Sequence, residues 1–180
     1  MEYKKTNIYK SKIKTKEELK QIISNIRNKF PKIKIVTTNG AFDIIHIGHI
    51  ASLKKAKQLG DILIIGLNSD SSIKKYKSKH RPIIPQNGRA KMLEALEVVD
   101  YIVIFDESDI SVPLINLIKP NIHVKSKSGY KGFEEPVLNR YGGELHLLED
   151  IKNFENIKTI STSEIIKKII DIKRQESESL

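Results

Sequence analysis

The chain has 180 residues, of which 39% are hydrophobic and 30% charged, a size and composition typical of one globular domain. It contains no cysteine, which excludes disulfides, zinc thiolate sites and cysteine nucleophiles. No apolar run is long enough to span a bilayer, and the charged start leads into no apolar signal segment, so we expect a cytoplasmic protein with no membrane partner.

The net charge of +10 raises the question of a nucleic-acid partner. The lysines, however, are scattered through every segment, and the chain lacks the arginine forks and interleaved aromatic residues that read bases and stack on them. We therefore expect an anionic small-molecule substrate and no nucleic-acid partner. A nucleic-acid binder stays an alternative class, and its affinity would fall steeply with salt.

The first segment, residues 1–14, is polar and basic, and we expect it to form a loose lead-in. Thr15 and Glu18 form a capping box, which starts the first helix. Apolar residues then recur at helical spacing until Pro31 ends the helix.

The next three segments alternate strand, helix and strand. Residues 33–37 are typical of a short buried strand, and residues 47–59 carry apolar side chains at helical spacing. Residues 61–67 are apolar enough for a strand that is buried on both faces, as parallel sheets require. This order predicts a βαβ unit with a right-handed crossover.

The loop that joins the first strand to the following helix carries the clearest chemical signal. Ligands of open α/β sheets bind at the carboxyl ends of strands, and a helix start offers unpaired N–H groups to a phosphate. His46 and His49 lie three residues apart on one face of the first helical turn, where both imidazoles can donate to an anion. Gly48 between them lets a nucleotide approach the backbone. One histidine at a helix start is more often a cap or a core residue, but the pair at this spacing favours a phosphate site.

A basic cluster follows the second strand of the βαβ unit. Asn68 and Asp70 lie at the end of that strand, and Lys74, Lys77 and Arg81 come soon after. Such a cluster is usually a solvated surface, but its position beside the proposed phosphate site favours the binding of polyphosphate.

A further helix opens at residues 87–89 and places Arg89 in its first turn. A cation there opposes the helix dipole, so we expect Arg89 to be held for an anion, with an ordinary surface arginine as the alternative.

The remaining segments continue the alternation of strands and helices. Strands are predicted at residues 100–105, 121–125 and 144–148, and helices at 111–118 and 134–141. The intervening loop, residues 126–130, could close over a substrate.

The final helix begins at Ser161 or Thr162. Together with Ser163 these residues supply three consecutive hydroxyls, more than a cap needs, and they could also bind a phosphate. We expect residues 173–180 to form a disordered tail. The predicted fold is therefore a single α/β domain, residues 15–172, with a Rossmann-like doubly wound parallel sheet of about five strands.

The residues from about 36 to 170 resemble the HxGH nucleotidyltransferases of the cytidylyltransferase-like superfamily. The resemblance rests on the sequence Gly-Ala-Phe-Asp at residues 40–43 followed by His-Ile-Gly-His at 46–49. It continues through Asn-Ser-Asp at 68–70, Lys74, Arg81 and Ser-Thr-Ser at 161–163. Within the superfamily the pattern is most similar to the adenylyltransferases of ADP-heptose synthesis, which join ATP to D-glycero-D-manno-heptose 1-phosphate.

The resemblance implies a transfer reaction in which a phosphate monoester attacks the α-phosphorus of a nucleoside triphosphate and pyrophosphate leaves. Mg²⁺ is expected to arrive with the triphosphate, with no dedicated metal ligands on the protein, and a homodimer or a higher homo-oligomer is expected. The implied catalytic residues are His46, His49, Lys74 and Arg89. The implied nucleotide-binding residues are Thr38, Asn39, Gly40, Phe42, Asp43, Gly48, Asn68, Asp70, Lys77, Ser161, Thr162 and Ser163. Arg81, Lys125 and Tyr130 are the implied contacts to the acceptor.

The chain departs from the heptose enzymes in two places. Their Lys-Gly-Gly-Asp-Tyr loop is replaced by a longer one without the acidic residue, from Lys125 to Tyr130, near the expected sugar contacts. Ser163 replaces a threonine and keeps the hydroxyl. Two alternatives therefore stay open: a CTP-dependent enzyme acting on glycerol 3-phosphate or another phosphorylated alcohol, and a nucleotide-binding module without catalysis.

Overall fold

The computed structural model describes residues 11–178 and contains a five-stranded sheet in the order β3-β2-β1-β4-β5. All four pairings within that sheet are parallel. The strands are β1 (Ile35–Gly40), β2 (Ile62–Asn68), β3 (Tyr101–Phe105), β4 (Ile122–Ser126) and β5 (Glu144–Leu148). A separate antiparallel hairpin is formed by β6 (Asn153–Phe154) and β7 (Ile157–Lys158). The predicted parallel sheet is confirmed.

Helices cover both faces of the sheet. They are α1 (Lys16–Lys29), α2 (Ile47–Lys57), α3 (Asp70–Tyr76), α4 (Gln86–Glu94), α5 (Ser111–Ile118), α6 (Glu135–Asn139) and α7 (Thr162–Glu178). Side chains of α2 and α4 pack against one face of the sheet, and side chains of α1 and α5 pack against the other. The sheet is thus doubly wound, because β-strands with two apolar faces must be covered on both.

The chain reverses its direction across the sheet between β1 and β4. From β1 it moves outward through β2 to β3, and it then returns to the other side of β1 to add β4 and β5. The loops that leave the carboxyl ends of β1 and β4 therefore diverge to opposite faces and leave a crevice between them. Ligands of open α/β sheets bind at such a switch point.

The lead-in to α1 is more ordered than the sequence predicts. Ile13 forms a parallel bridge with Ile102, through hydrogen bonds of 2.9 Å from the Ile102 amide to the Lys12 carbonyl and from the Lys14 amide to the Ile102 carbonyl. The edge of β3 provides these partners, so the expected loose conformation is wrong for residues 12–14. Residues 1–10 lie outside the described part of the chain.

The other terminus also differs from the prediction. Helix α7 continues to Glu178, so the expected disorder of residues 173–180 is wrong for residues 173–178. This stretch contains no glycine or proline and is rich in Lys, Arg, Gln and Glu, which are good helix formers. A helix that is already started extends through such residues at little cost.

The sequence analysis also missed two short elements: α3, in the basic cluster, and the β6–β7 hairpin. Glu155 and Asn156 both have positive φ, the conformation of tight hairpin turns. Within residues 11–178, no helix has the length and apolar character needed to cross a membrane.

Candidate nucleotide-binding site

A cleft of about 760 Å³ opens at the carboxyl ends of β1 and β4. The predicted residues that line it are Thr38, Asn39, Gly40, Phe42, His46, Gly48, His49, Lys77, Ser161, Thr162 and Ser163. Its volume lies within the range of ordinary small-molecule sites. The structure therefore brings the first βα loop and the start of the last helix into one cavity, although more than 110 residues separate them in the chain.

The first wall of the cleft is the start of α2. His46 is the N-cap residue, and its side chain makes no capping hydrogen bond. The rings of His46 and His49 stack with centroids 3.8 Å apart and an interplanar angle of 25°, and Phe42 lies 5.2 Å from the His49 ring. The Nδ1 atoms of both histidines are buried and have no hydrogen-bond partner among the described residues. Unpaired buried nitrogens of this kind are costly.

Gly48 lies close to the His46 ring of this stacked pair. A Cβ atom at Gly48 would lie 3.1 Å from Nδ1 and 3.2 Å from Cε1 of His46. These contacts are tighter than ordinary van der Waals contacts, so a side chain at position 48 would require the His46 ring to shift by a few tenths of an ångström.

Both imidazoles are neutral near pH 7. Burial lowers the pKa of His49 to about 4, with smaller contributions from His46 and Lys77. Burial also lowers the pKa of His46, which the nearby Glu164 carboxylate partly opposes. A neutral imidazole carries one N–H donor, so each ring can still donate one hydrogen bond to a phosphate without first taking up a proton.

The opposite wall is the start of α7. The Ser161 hydroxyl accepts a hydrogen bond of 3.2 Å from the Glu164 amide, and the Glu164 carboxylate accepts one of 2.7 Å from the Ser161 amide. This capping box leaves the hydroxyls of Thr162 and Ser163 without a capping role. The positive ends of two helices, of 11 and 17 residues, therefore line the same cleft.

Some of the charged residues on the rim of the cleft belong to segments in which the sequence analysis predicts no site residue. Lys152 and Lys158 lie at the base of the β6–β7 hairpin and face the same cavity as Lys77. The pKa of Lys77 is lowered by burial and by Arg81. The carboxylates of Glu149, Asp150 and Glu164 also line the cleft. Only the turn residues of the hairpin could have revealed its position from the sequence.

Asp43 supports the cleft from below. It is buried and forms an ion pair with Arg81, and its carboxylate accepts hydrogen bonds from the amides of Ile83 and Ile84. Burial alone raises the pKa of Asp43, but these amides and Arg81 outweigh it and hold the pKa below its ordinary value. In the structure Asp43 and Arg81 thus fix the segment after α3, and neither lines the cleft.

Arg89 has a structural role that the sequence did not suggest. Its side chain is fully buried and donates to the carbonyls of Ile84, Ala41 and Asn68 and to the Asp70 carboxylate, which lies 2.7 Å away. The prediction that Arg89 sits on the first turn of its helix is correct, but these partners use four of its five N–H donors. It therefore ties β1, β2 and α3 together beneath the site.

Asn68 and Asp70 contact this buried arginine, and neither they nor Lys74 line the cleft. The Asn68 amide donates to the Ser72 hydroxyl at 2.8 Å. Asp70 begins α3, and Lys74 is exposed on the same helix. Of the basic cluster, the structure brings Lys77 alone among its predicted members to the cavity.

The predicted acceptor contacts do not line the cleft. Lys125 is mostly buried at the end of β4, where its ammonium contacts the Ser111 hydroxyl at 2.6 Å and the Glu134 carboxylate at 3.1 Å. Asn39, which lines the cleft, lies 3.4 Å from the same ammonium. Tyr130 donates to Glu135 at 2.7 Å. The acceptor roles of Lys125, Tyr130 and Arg81 stay predictions.

The parallel sheet, the crevice at its switch point and the two helix starts define an α/β nucleotide-binding protein. The chain belongs to the cytidylyltransferase-like family, which matches residues 37–168. The superfamily resemblance seen in the sequence is therefore confirmed.

Several similar curated proteins are named bifunctional protein HldE. The chain is 42% identical to the HldE of Campylobacter concisus, over 93% of this chain and 33% of the relative. It is 48% identical to the HldE of Nitratiruptor sp., over 78% of this chain and 29% of the relative. The chain thus spans about a third of the length of the curated relatives it matches.

Two solved structures share the fold. The lipopolysaccharide core biosynthesis protein of Thermoplasma volcanium is 28% identical, with a TM-score of 0.56 over 68% of this chain and 99% of that one. The pantoate-beta-alanine ligase of Francisella tularensis is 17% identical, with a TM-score of 0.55 over 84% and 71% of the two chains. The similarity to the ligase shows only that the two proteins share a fold.

The burial of His49 predicts a specific pH dependence. The pKa of His49 in the folded chain, about 4, lies below the ordinary value of 6.5. Between about pH 4 and pH 6.5 the unfolded state therefore binds more protons than the folded state. The free energy of unfolding should therefore fall as the pH drops from about 6.5 to about 4. His123, whose pKa burial lowers to about 3, acts in the same direction, so His49→Gln should make the loss shallower without removing it. Chemical denaturation at a series of pH values measures this change in the free energy of unfolding. An NMR titration of the His49 imidazole with its midpoint near pH 6.5 would contradict the prediction.

The buried position of Arg89 predicts a loss of stability when the guanidinium is removed. Arg89→Met leaves three carbonyls and the Asp70 carboxylate without their donor, which should lower the free energy of unfolding by about 3 kcal/mol. Lys91→Met, on the exposed side of the same helix, is the matched control and should stay within about 0.5 kcal/mol. Urea unfolding measures both. Unchanged stability together with lost nucleotide affinity would instead assign Arg89 to direct phosphate binding.

Proposed function

We propose that this chain is a nucleotidyltransferase that transfers the adenylyl group of ATP to heptose 1-phosphate and releases pyrophosphate. The observation that carries the proposal is the cleft in which the stacked HxGH imidazoles and two helix starts face one another. Membership of the cytidylyltransferase-like family supports the reaction class. The resemblance to the adenylyltransferases of ADP-heptose synthesis, together with the HldE relatives, supports the choice of substrates.

The proposed reaction needs positioning and charge neutralisation more than proton transfer. A phosphate monoester has a second pKa near 6, so its oxygen is ionised at pH 7 and attacks without a general base. The new bond joins that oxygen to the α-phosphorus, and the bond from the α-phosphorus to the bridging oxygen breaks as pyrophosphate leaves. His46, His49 and the amides at the start of α2 would donate to the α-phosphoryl oxygens.

The leaving pyrophosphate needs cations and donors on its own side of the cleft. Lys77 and the hydroxyls of Thr162 and Ser163 line the cavity and would serve this purpose. Arg89 would act as a positioning residue, since it holds the loops of β1 and β2 in register. Lys74, an implied catalytic residue, is exposed on α3 and does not line the cleft.

Mg²⁺ is proposed to enter with the triphosphate. The described residues contain no group of three or more histidine or carboxylate side chains placed to hold a metal ion, and Mg²⁺ commonly keeps several waters and binds through substrate phosphates. Glu149, Asp150 and Glu164 line the cleft and would be the available protein oxygens. When bound, the ion would neutralise charge on the β- and γ-phosphates.

A cytoplasmic location, where ATP is available, is part of the same proposal.

Lys125 is the proposed contact to the phosphate of the acceptor. Its ammonium lies 3.4 Å from the Asn39 side chain, and Asn39 lines the cleft. An incoming phosphate would compete with the Glu134 carboxylate for it. The sugar itself would then lie against the loop from Ser126 to Tyr130, where the sequence departs from the heptose enzymes.

The substrates are tested by crossing ATP, CTP, GTP and UTP with heptose 1-phosphate, glycerol 3-phosphate and phosphocholine while pyrophosphate is measured. We expect release with ATP and heptose 1-phosphate. Release with CTP and glycerol 3-phosphate would instead establish the alternative enzyme. Saturable nucleotide binding with no release of pyrophosphate for any pair of nucleotide and acceptor would establish a binding module without catalysis.

The role of the ring pair is tested by His49→Ala. Because the imidazole is proposed to donate to the α-phosphoryl group, turnover should fall by about 10²–10³-fold, while the melting temperature should change little. His146→Ala, an exposed histidine on β5 outside the cleft lining, is the matched control and should keep full activity. Normal turnover of His49→Ala would refute the assignment of the site.

A further inference from the structure

The β6–β7 hairpin forms a part of the cleft wall that does not come from the main sheet. Each of its strands has only two residues. At its base the Thr159 amide donates a hydrogen bond of 2.9 Å to the Lys152 carbonyl, and the Thr159 hydroxyl donates to the Ile151 carbonyl. A hairpin this short is not stable alone, so its position depends on its contacts with the domain.

Helix α2 supplies the contacts that hold the hairpin. Glu155, in the hairpin turn, forms an ion pair of 2.9 Å with Lys54 of α2, and the same ammonium lies 5.2 Å from the centroid of the Phe154 ring. Lys158 pairs with Asn153, the neighbour of Phe154 in the strand. Because successive residues of a strand point to opposite faces, Lys158 and Phe154 lie on opposite faces of the hairpin.

The end of the hairpin lies near the starts of both α2 and α7. A Cβ atom at Gly48 would be 3.7 Å from the Cβ atom of Thr159, so Thr159 borders the first turn of α2. The pKa of Glu164, in the first turn of α7, is lowered mainly by its hydrogen bonds with Ser161 and to a smaller extent by the charge of Lys158. Lys158 also lines the cleft, and its ammonium is therefore placed close to the two helix starts.

The hairpin supplies most of the lysines of the cleft. Lysines line the cleft at positions 77, 152 and 158, and the last two flank the hairpin strands. In the part of the chain that the structure describes, the ammonium groups of Lys152 and Lys158 make no hydrogen bond and no ion pair. An ammonium with three N–H donors and no carboxylate partner is available to an anionic ligand.

The carboxylates that line the cleft are already engaged elsewhere. Glu149 forms an ion pair of 2.7 Å with Lys127, and Asp150 accepts a hydrogen bond of 2.9 Å from the Ser128 hydroxyl. Glu164 accepts from the amide that begins the capping box of α7. A ligand with charged oxygens can therefore contact the hairpin lysines without first separating an ion pair.

We propose that the hairpin forms a pyrophosphate subsite, in which Lys158 and Lys152 bind the β- and γ-phosphates of the nucleoside triphosphate. Two adjacent phosphates carry several charges, which one cation such as Lys77 cannot neutralise alone. The subsite rests on the proposed function in one respect, that the cleft takes a triphosphate with its α-phosphoryl group at the histidines. The hairpin lysines then contact the leaving group and not the nucleoside monophosphate that is transferred.

The subsite is tested without nucleotide or acceptor by calorimetric titration of the full chain with inorganic pyrophosphate and Mg²⁺. We expect Lys158→Met to weaken pyrophosphate binding about tenfold, a loss typical of one hydrogen bond to a charged group. Lys55→Met, on the exposed side of α2 and outside the cleft lining, is the matched control and should bind like the wild type. A wild-type chain that binds no pyrophosphate would overturn the inference, and so would a Lys158→Met variant with unchanged affinity.

Titration with ATP and with AMP shows which phosphates the hairpin contacts. Lys158→Met should weaken ATP binding about tenfold and leave AMP binding unchanged, because AMP has only the α-phosphate. An equal loss for both nucleotides would place Lys158 at the α-phosphate and overturn the assignment. A wild-type chain that binds pyrophosphate but neither nucleotide would support the subsite and refute the proposed function, so the two failures can be told apart.

Discussion

The structure depends on the meeting of two helix N-termini at one point of the sheet. Each helix start leaves backbone N–H groups unpaired and carries a partial positive charge. The switch between β1 and β4 opens a crevice, and α2 and α7 both begin at its walls. An anion with several charged oxygens can pair with both ends at once, which is the physical ground for the proposed polyphosphate ligand.

The cleft keeps its shape because two buried charged residues hold its floor. Asp43 fixes the segment from Arg81 to Ile84, and Arg89 bridges the loops of β1 and β2. Buried ions are costly unless every donor and acceptor is paired. Here nearly all of them are, so the charges give a rigid support at the place where catalysis by positioning would need one.

The neutral state of the imidazole pair follows from the same enclosure. Two cationic rings with centroids 3.8 Å apart would repel each other, and burial further disfavours the charge. Neutral rings can stack closely and still donate to an anion. The positive potential of the site then comes from the helix starts and from lysines on the rim, such as Lys77 and Lys158, rather than from the histidines.

The sequence by itself determined the parallel α/β fold, the HxGH turn and the capped start of the last helix, because each follows from local periodicity or short spacing. The tertiary structure alone decided that Arg89 and Asp43 lie beneath the cleft and that Lys158 reaches it. An arginine in a first helical turn looks the same in sequence whether it binds a phosphate or three carbonyls. The choice depends on which loops the sheet brings above it, and that is set by contacts between residues far apart in the chain.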